Sequence, residues 1–177
     1  LSNKIENFIK KRKSVAEIII IKEDKPLGTA GSVKLLPTDI TSPLTVINGD
    51  VLSDLDLDSL LSFHYEKNNE ITLTVAQYSI QLPFGLVNFN KKNEFKGLKE
   101  KPNLNNYILS GIYCINKELF SLITKKNIDM TELILAANKV GKKIGIFPIY
   151  EKWRDIGSLQ ELDLAKKLND KVMKKGK

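Results

Sequence analysis

Two aspartates far apart in the chain, Asp50 and Asp155, each follow an apolar run and stand close to glycine, in Asn48-Gly49-Asp50 and Trp153-Arg154-Asp155-Ile156-Gly157. Glycine keeps the space above a carboxylate open. Two carboxylates converging at a sheet edge are a simple way to hold a Mg²⁺ that takes its remaining oxygen ligands from substrate phosphates. The plainer alternative makes Asp50 a turn residue and Asp155 a cap before a closing helix. Ser158 and Glu161 already have the S-x-x-E spacing of a capping box, so that helix has a cap without Asp155.

Other chemistry-bearing positions follow apolar runs in the same way. After Val15–Ile21 come Glu23 and Pro26-Leu27-Gly28-Thr29-Ala30-Gly31, where small residues can let backbone N–H groups approach a planar base or a phosphate. A tight strand-to-helix turn explains the same residues, and the segment is neither a Walker loop nor G-x-G-x-x-G. Glu100-Lys101-Pro102 could take sugar hydroxyls through the carboxylate and a phosphate through the ammonium, although such a pair is common on any surface. Gly85 and Ser110-Gly111 interrupt extended segments, where glycine often marks close approach of a ligand or another backbone. Cys114 shares a face with Ile108 and Ile112 and reads as a core thiol. His64 lies on the apolar face of a helix and reads as a packed structural residue, with no Ser or Cys spaced to pair with it. Trp153 is expected to pack beneath the Asp155 loop.

The elements that must position these groups follow from composition and periodicity. A chain of 177 residues with 42% hydrophobic and 28% charged residues is one domain's worth of globular protein, and the expectation is a single domain over 1–177. One Cys and one His exclude an intramolecular disulfide and a zinc site built from nitrogen and sulfur alone. Apolar runs such as Ile18–Ile21 are too short to span a bilayer and no leader pattern opens the chain, so the expectation is a cytoplasmic protein without a membrane partner. The net charge of +7 raises the question of nucleic acid. Of 28 basic residues, however, only Arg12 and Arg154 are arginine, whereas base and phosphate recognition favours the planar guanidinium. The lysines, including Lys10-Lys11-Arg12-Lys13 and Lys174-Lys175-Gly176-Lys177, read as solvated surface, and no nucleic-acid partner is expected. A polyanionic small molecule would also suit the surplus.

The chain opens on Leu1 and at once enters an amphipathic run (Ile5, Phe8, Ile9), as if mid-domain. Val15–Ile21 has the β-branched pattern of a strand covered on both faces. Ala30, Val33, Leu35 and Leu36 predict a short helix ended by Pro37, Leu44–Ile47 a strand, Leu57–His64 a helix, and Ile71–Ala76 a third strand. Gly85–Asn90 and Glu94–Leu98 form a hairpin-like pair. Tyr107–Ile115 and Ile144–Ile149 read as strands, Glu118–Ile123 and Thr131–Asn138 as helices, and Leu162, Ala165, Leu168 and Val172 as one face of a closing helix. The alternation predicts an α/β fold: a Rossmann-like mixed, mostly parallel sheet with helices on both faces and an antiparallel excursion.

Taken in order, Pro26–Ser32, Asn48-Gly49-Asp50, Phe84-Gly85 with Val87, Glu100-Lys101-Pro102, Ser110-Gly111-Ile112-Tyr113, Asp129-Met130-Thr131-Glu132 and Trp153–Gly157 resemble the sugar-1-phosphate nucleotidyltransferase family. The resemblance implies Mg²⁺ dependence and attack of a sugar-1-phosphate oxygen on the α-phosphate of an NTP, with release of pyrophosphate. It implies Asp50 and Asp155 on the metal, with Lys101 beside them in catalysis. Glu23, Gly28 and Thr29 would lie at the nucleotide, and Gly85, Glu100, Lys101, Ser110 and Gly111 at the sugar phosphate. Pro-Leu-Gly-Thr-Ala-Gly is most similar to the guanylyl-transferring, mannose-1-phosphate-type branch, which implies GTP and a role in polysaccharide precursor synthesis; the sequence leaves the assembly state open, a homo-oligomer among the options. The chain lacks the glycine-rich opening segment of that family, which holds the triphosphate. It therefore resembles a member without its N-terminal part, either a fragment or a catalytically incompetent module that binds nucleotide-sugars.

Overall fold

The computed structural model describes residues 2–12, 14–158 and 161–163. Along the chain the elements are α1 (Ser2–Lys11), a 3₁₀ turn (Gly31–Leu35), β1 (Leu44–Ile47), β2 (Val51–Ser53), α2 (Leu57–Glu66), β3 (Ile71–Gln81), β4 (Leu86–Phe89), β5 (Phe95–Lys99), β6 (Asn103–Ile115), a second 3₁₀ turn (Lys117–Leu122), α3 (Met130–Lys139), β7 (Ile144–Ile149) and β8 (Trp153–Asp155). They fall into two compact units. The first combines residues up to Ser42 with Asn116–Lys142, and the second combines Pro43–Ile115 with the chain from Lys143 onward.

The second unit is built on a four-stranded sheet in the order β1-β6-β3-β7. The first six residues of β3, Ile71–Ala76, are buried because partners flank them on both edges. β7 runs parallel from Ile71↔Ile144 to Ala76↔Ile149, and β6 runs antiparallel from Ile71↔Ile115. Burying the threonines of this strand requires partners for their hydroxyls. Thr74 Oγ1 donates to Ile112 O at 2.6 Å, while Thr72 Oγ1 accepts from Asn69 Nδ2 at 3.0 Å and meets His64 Nδ1 at 2.8 Å. His64 is thus the packed, hydrogen-bonded residue that its place on α2 predicts. α2 begins at Asp56, whose carboxylate accepts from the Ser59 hydroxyl at 2.6 Å and the Asp58 N–H at 3.1 Å, and these bonds hold it below the usual carboxylate range. The helix lays Leu60 against Ile112, Cys114 and Ile149, with Val51, Leu55, Leu61, Phe147 and Trp153 around them. Beyond Ala76, β3 and β6 continue as an exposed ribbon from Gln77↔Tyr107 to Gln81↔Asn103, and β4 and β5 pair as a separate antiparallel hairpin.

In the first unit, α3 buries Met130, Leu133 and Ala137, the i, i+3, i+7 face of an amphipathic helix. Lys34 Nζ donates to Ile123 O at 3.0 Å, and Lys117 Nζ to Ile40 O at 3.2 Å, so the stems of two lysines tie turn to turn. Among the described residues no helix is long and apolar enough to cross a membrane.

The α/β class with a mixed sheet is present, but antiparallel pairing predominates in the four-stranded sheet: β1–β6 and β3–β6 are antiparallel and β3–β7 is parallel. Val15–Ile21 is not a strand. Among the described residues nothing hydrogen-bonds to it as a ladder, and Ile19 is 63% exposed. A β-branched run without a neighbour lacks the pairing that makes a strand. At the other end, Glu161 N donates to Ser158 Oγ at 3.1 Å, as the cap spacing predicts, but the rest of the expected closing helix, with Ala165, Leu168 and Val172, lies outside the described residues.

Cys114 is fully buried on β6, and desolvation pushes its thiol up to about 11. At pH 8 only about a thousandth of such a thiol is ionised, against roughly a quarter for an exposed cysteine. Native protein is therefore expected to react with a disulfide reagent at least ~100-fold more slowly than the same chain in guanidinium. Equal rates would place the thiol at the surface.

Candidate functional site

The two aspartates meet in the second unit through a pairing that the sequence does not advertise. β2 and β8 form a short antiparallel ladder with Val51 opposite Asp155, Leu52 opposite Arg154 and Ser53 opposite Trp153. Ile156 N donates to Asp50 O at 2.8 Å, which extends the ladder and puts Asp50 beside the end of β8. Both side chains are exposed. Gly157 shows how close their carboxylates come: a Cβ built there would lie 3.0 Å from Asp155 Oδ1 and 3.3 Å from Asp50 Oδ2. Asp155 Oδ1 accepts the Gly157 N–H at 2.8 Å, a turn role it keeps beside Asp50, and both carboxylates border one small volume that any side chain at 157 would enter. Two acidic oxygens on such a volume can hold a hard divalent cation. No group of three or more His, Cys, Asp or Glu is gathered among the described residues, so the remaining ligands would have to come from substrate oxygens and water.

Two adjacent carbonyls of β6 anchor the segments that carry the pair. Ser110 O accepts the Trp153 indole N–H at 2.8 Å, which holds β8, and Gly111 O accepts Asn48 N–H at 2.9 Å, which holds the turn before Asp50. Gly111 has φ +79°, and a Cβ there would come within 2.9 Å of both the Asn48 side-chain amide and Val51 Cγ2. The Ser110 hydroxyl is buried and bonded to Thr74, donating to its carbonyl at 3.2 Å. These two residues, expected at the sugar phosphate, therefore have a visible role in building the carboxylate site. Trp153 packs into the core beneath Asp155, as expected.

Gly85 and Glu100 are brought together across the hairpin, where a Cβ at 85 would lie 3.2 Å from Glu100 Oε2. The neighbouring Lys101 is held at φ +41°, a left-handed conformation that costs a non-glycine residue on the order of 1 kcal/mol. Strain of this kind is retained where the surrounding structure fixes it. Here Pro102 O accepts Leu82 N–H at 3.0 Å across the base of the hairpin.

The same unit carries a cleft of about 260 Å³ lined by Ala76, Gln77, Tyr107, Ile149, Tyr150, Glu151 and Trp153. Aromatic faces beside an amide, two phenols and a carboxylate suit a polyhydroxylated ring. Gln77, Tyr107, Tyr150 and Glu151 were not singled out from sequence. Tyr150 and Glu151 could have been, because they directly follow β7, where ligands of α/β sheets tend to lie.

In the first unit, Glu23, Gly28 and Thr29 belong to a loop whose polar groups are largely engaged within the unit. Glu23 Oε2 accepts Leu27 N–H at 3.0 Å. Ile128 O accepts Ala30 N–H at 3.0 Å and Gly31 N–H at 3.2 Å, Leu27 O accepts Ile128 N–H at 2.9 Å, and Thr29 N–H donates to Asp129 Oδ1 at 3.1 Å. Three successive N–H groups are thus taken, which removes the phosphate-cradle reading of this loop and leaves a rigid platform suited to a planar base. Gly28 has φ +80°, and a Cβ there would lie 2.4 Å from Ile128 O.

The profile of the family described as "Nucleotidyl transferase" matches residues 2–171. The catalytic subunit beta of mannose-1-phosphate guanylyltransferase from Drosophila melanogaster is 27% identical over 154 residues, which cover 84% of this chain and 42% of that one. The mannose-1-phosphate guanyltransferase of Pichia angusta is 30% identical over 143 residues, covering 76% of this chain and 39% of that one. The chain thus spans about two fifths of the length of these relatives. Among solved structures, HddC from Yersinia pseudotuberculosis superposes with a TM-score of 0.69 at 21% identity, covering 92% of this chain and 72% of that one, and shares the fold.

The two glycines that flank these features make a direct comparison. Gly28→Ala forces a β-carbon into a backbone carbonyl at positive φ and is expected to cost about 2 kcal/mol or more. Gly49 has open space around its Cβ position, and Gly49→Ala is expected within about 0.5 kcal/mol of wild type. Urea denaturation reads both, and equal midpoints would contradict the loop geometry.

Proposed function

The chain belongs to the nucleotidyl transferase family, and from that membership and its converging carboxylates we propose that the protein transfers a nucleotidyl group from an NTP to a sugar-1-phosphate, releasing pyrophosphate. An oxygen of the sugar phosphate attacks the α-phosphorus of the NTP, and the bond from that phosphorus to the β-bridging oxygen breaks. The two phosphates not incorporated leave together as pyrophosphate, and the sugar and nucleoside become joined through a diphosphate. Such transfer asks the protein for positioning and charge neutralisation rather than a covalent nucleophile. Cys114 on β6 and His64 on α2, the side chains that could otherwise be suspected as nucleophile and base, are both buried, which agrees with that requirement.

The single observation that carries the reading is the shared volume of Asp50 and Asp155 beside Gly157. The donor set fits Mg²⁺: hard oxygens, exposed, and too few for a closed all-protein cage. Bound there, Mg²⁺ would neutralise phosphate charge as transfer proceeds. Glu100 and Lys101 supply a carboxylate for sugar hydroxyls and an ammonium for phosphate, and the cleft at Trp153 supplies a wall for a sugar ring. The Glu23–Gly31 loop offers the platform for the base. The relatives are named for mannose-1-phosphate and guanylyl transfer, and for this protein we propose mannose-1-phosphate and GTP as substrates, with the nucleotide-sugar feeding polysaccharide synthesis.

In protein expressed from its full reading frame, Asp155→Asn should lower pyrophosphate release by ~10³-fold with the thermal unfolding midpoint retained. Turnover at the wild-type rate would remove Asp155 from the chemistry. Gly157→Ala tests the volume itself: its added methyl is expected to reduce turnover by about tenfold or more while stability changes by less than about 0.5 kcal/mol. Unchanged turnover would mean that the space between the carboxylates is not used.

A further inference from the structure

Resting on that functional reading, we propose that Asp129 is a positioning residue for the nucleotide: its side chain holds the Gly28–Gly31 loop in its binding shape from a helix 100 residues away in sequence. Asp129 sits immediately before α3, in a motif to which the sequence reading attached no role. Its Oδ1 accepts the Thr29 backbone N–H at 3.1 Å and also the Thr29 hydroxyl, at 3.5 Å. Thr29 Oγ1 in turn accepts Met130 N–H at 2.8 Å, so the threonine is gripped between a carboxylate and the first N–H of the helix. On either side, Asn127 Nδ2 donates to Pro26 O at 3.0 Å and Ile128 O takes the Ala30 and Gly31 N–H groups. Three consecutive residues, 127–129, thus copy the outline of the loop group by group, and Gly28 at φ +80° closes so tightly on them that a Cβ would lie 2.9 Å from Asp129 Oδ1 as well.

Asp129, like Asn127, contributes a side chain that can be removed without altering the backbone, and among residues 127–129 it is the one that takes the Thr29 N–H and hydroxyl. A loop of small residues is conformationally free when nothing holds it, and a ligand that needs one shape must then order it on binding. With Asp129 in place that ordering is done at folding. The carboxylate also explains why Thr29 stands among the small residues: its hydroxyl is a bridge within the clamp.

Asp129 is also the helix cap: its carboxylate takes the Glu132 backbone N–H in a capping box whose other half is the Glu132 side chain, so the control for the cap is made at Glu132. The Asp129 N–H donates to Glu132 Oε2 at 3.1 Å, and Glu132 Oε1 pairs with Lys125 Nζ at 2.8 Å, so Glu132 supports the helix end without touching Thr29. Asp129→Ala should raise KM for the NTP by about tenfold, the scale of losing one well-made hydrogen bond in a loop that must then be ordered on binding. The same variant should leave KM for the sugar-1-phosphate and kcat at saturation within about twofold. Hydrogen exchange at Thr29, Ala30 and Gly31 should quicken in the same variant. Asp129→Asn keeps an acceptor oxygen in place and should restore both the NTP KM and slow exchange. Glu132→Ala, which removes its half of the capping box and leaves the Thr29 contacts in place, should leave the NTP KM at its wild-type value. Steady-state kinetics on the full chain with GTP and mannose-1-phosphate, together with exchange measured by mass spectrometry, decide the matter. Wild-type NTP KM in Asp129→Ala, failure of Asp129→Asn to rescue, or an equal rise in Glu132→Ala would each overturn the proposal. Absence of turnover and of nucleotide binding in the wild type would instead overturn the functional reading, and the role of Asp129 with it.

Discussion

The candidate chemistry depends on a three-residue ladder. Val51–Ser53 pairs with Trp153–Asp155, and the Ile156 N–H closes onto the Asp50 carbonyl. Without it, Asp50 and Asp155 would be two turn aspartates with no reason to meet. A two-stranded ladder of that length is not stable by itself, because three paired residues cannot offset the entropy of ordering them. It is secured by the neighbouring strand, whose Ser110 and Gly111 carbonyls take the Trp153 indole and the Asn48 amide. The central sheet therefore positions the carboxylates indirectly, through two hydrogen bonds from adjacent residues of β6. Positive φ at Gly111 is what allows the Asp50 turn to lie that close.

The same economy shapes the glycine loop of the first unit. Its N–H groups, which a first inspection would offer to a ligand, are engaged by residues 127–129. A loop satisfied in this way presents shape and apolar surface rather than free donors, which suits a planar base better than a phosphate. Rigid placement is what in-line phosphoryl chemistry asks of a protein, since it supplies no covalent partner and must rely on geometry and charge.

Much of the framework was legible in the sequence, for definite reasons. Leu44–Ile47, Ile71–Ala76 and Ile144–Ile149 are short β-branched runs bounded by turn residues, and each became a strand of the main sheet. The hairpin at Leu86–Lys99 followed from Lys91-Lys92-Asn93 between two extended segments, with Asn93 at positive φ in the turn. Asp50 and Asp155 were identifiable as a pair because glycine lies near both and another residue, Ser158, caps the following helix. What was not legible depends on partners remote in sequence. Val15–Ile21 has strand composition, but a strand exists only by pairing. β2 and β8, three residues each, are too short for periodicity to register. Ser110 was noticed for the glycine beside it, while its place inside the sheet is set by Thr74 on another strand. The clamp at Asp129 joins groups 100 residues apart, beyond any local pattern.

The central claim is that Asp50 and Asp155 act as one site for one divalent cation. The most direct measurement is a Mn²⁺ titration followed by electron paramagnetic resonance, comparing wild type with Asp50→Asn, Asp155→Asn and the double variant in the presence of GTP. If the carboxylates share an ion, each single variant weakens Mn²⁺ binding by about as much as the double, because losing either one undoes the site. Additive losses, or Mn²⁺ affinity unchanged in both single variants, would show that the two aspartates do not hold a common cation.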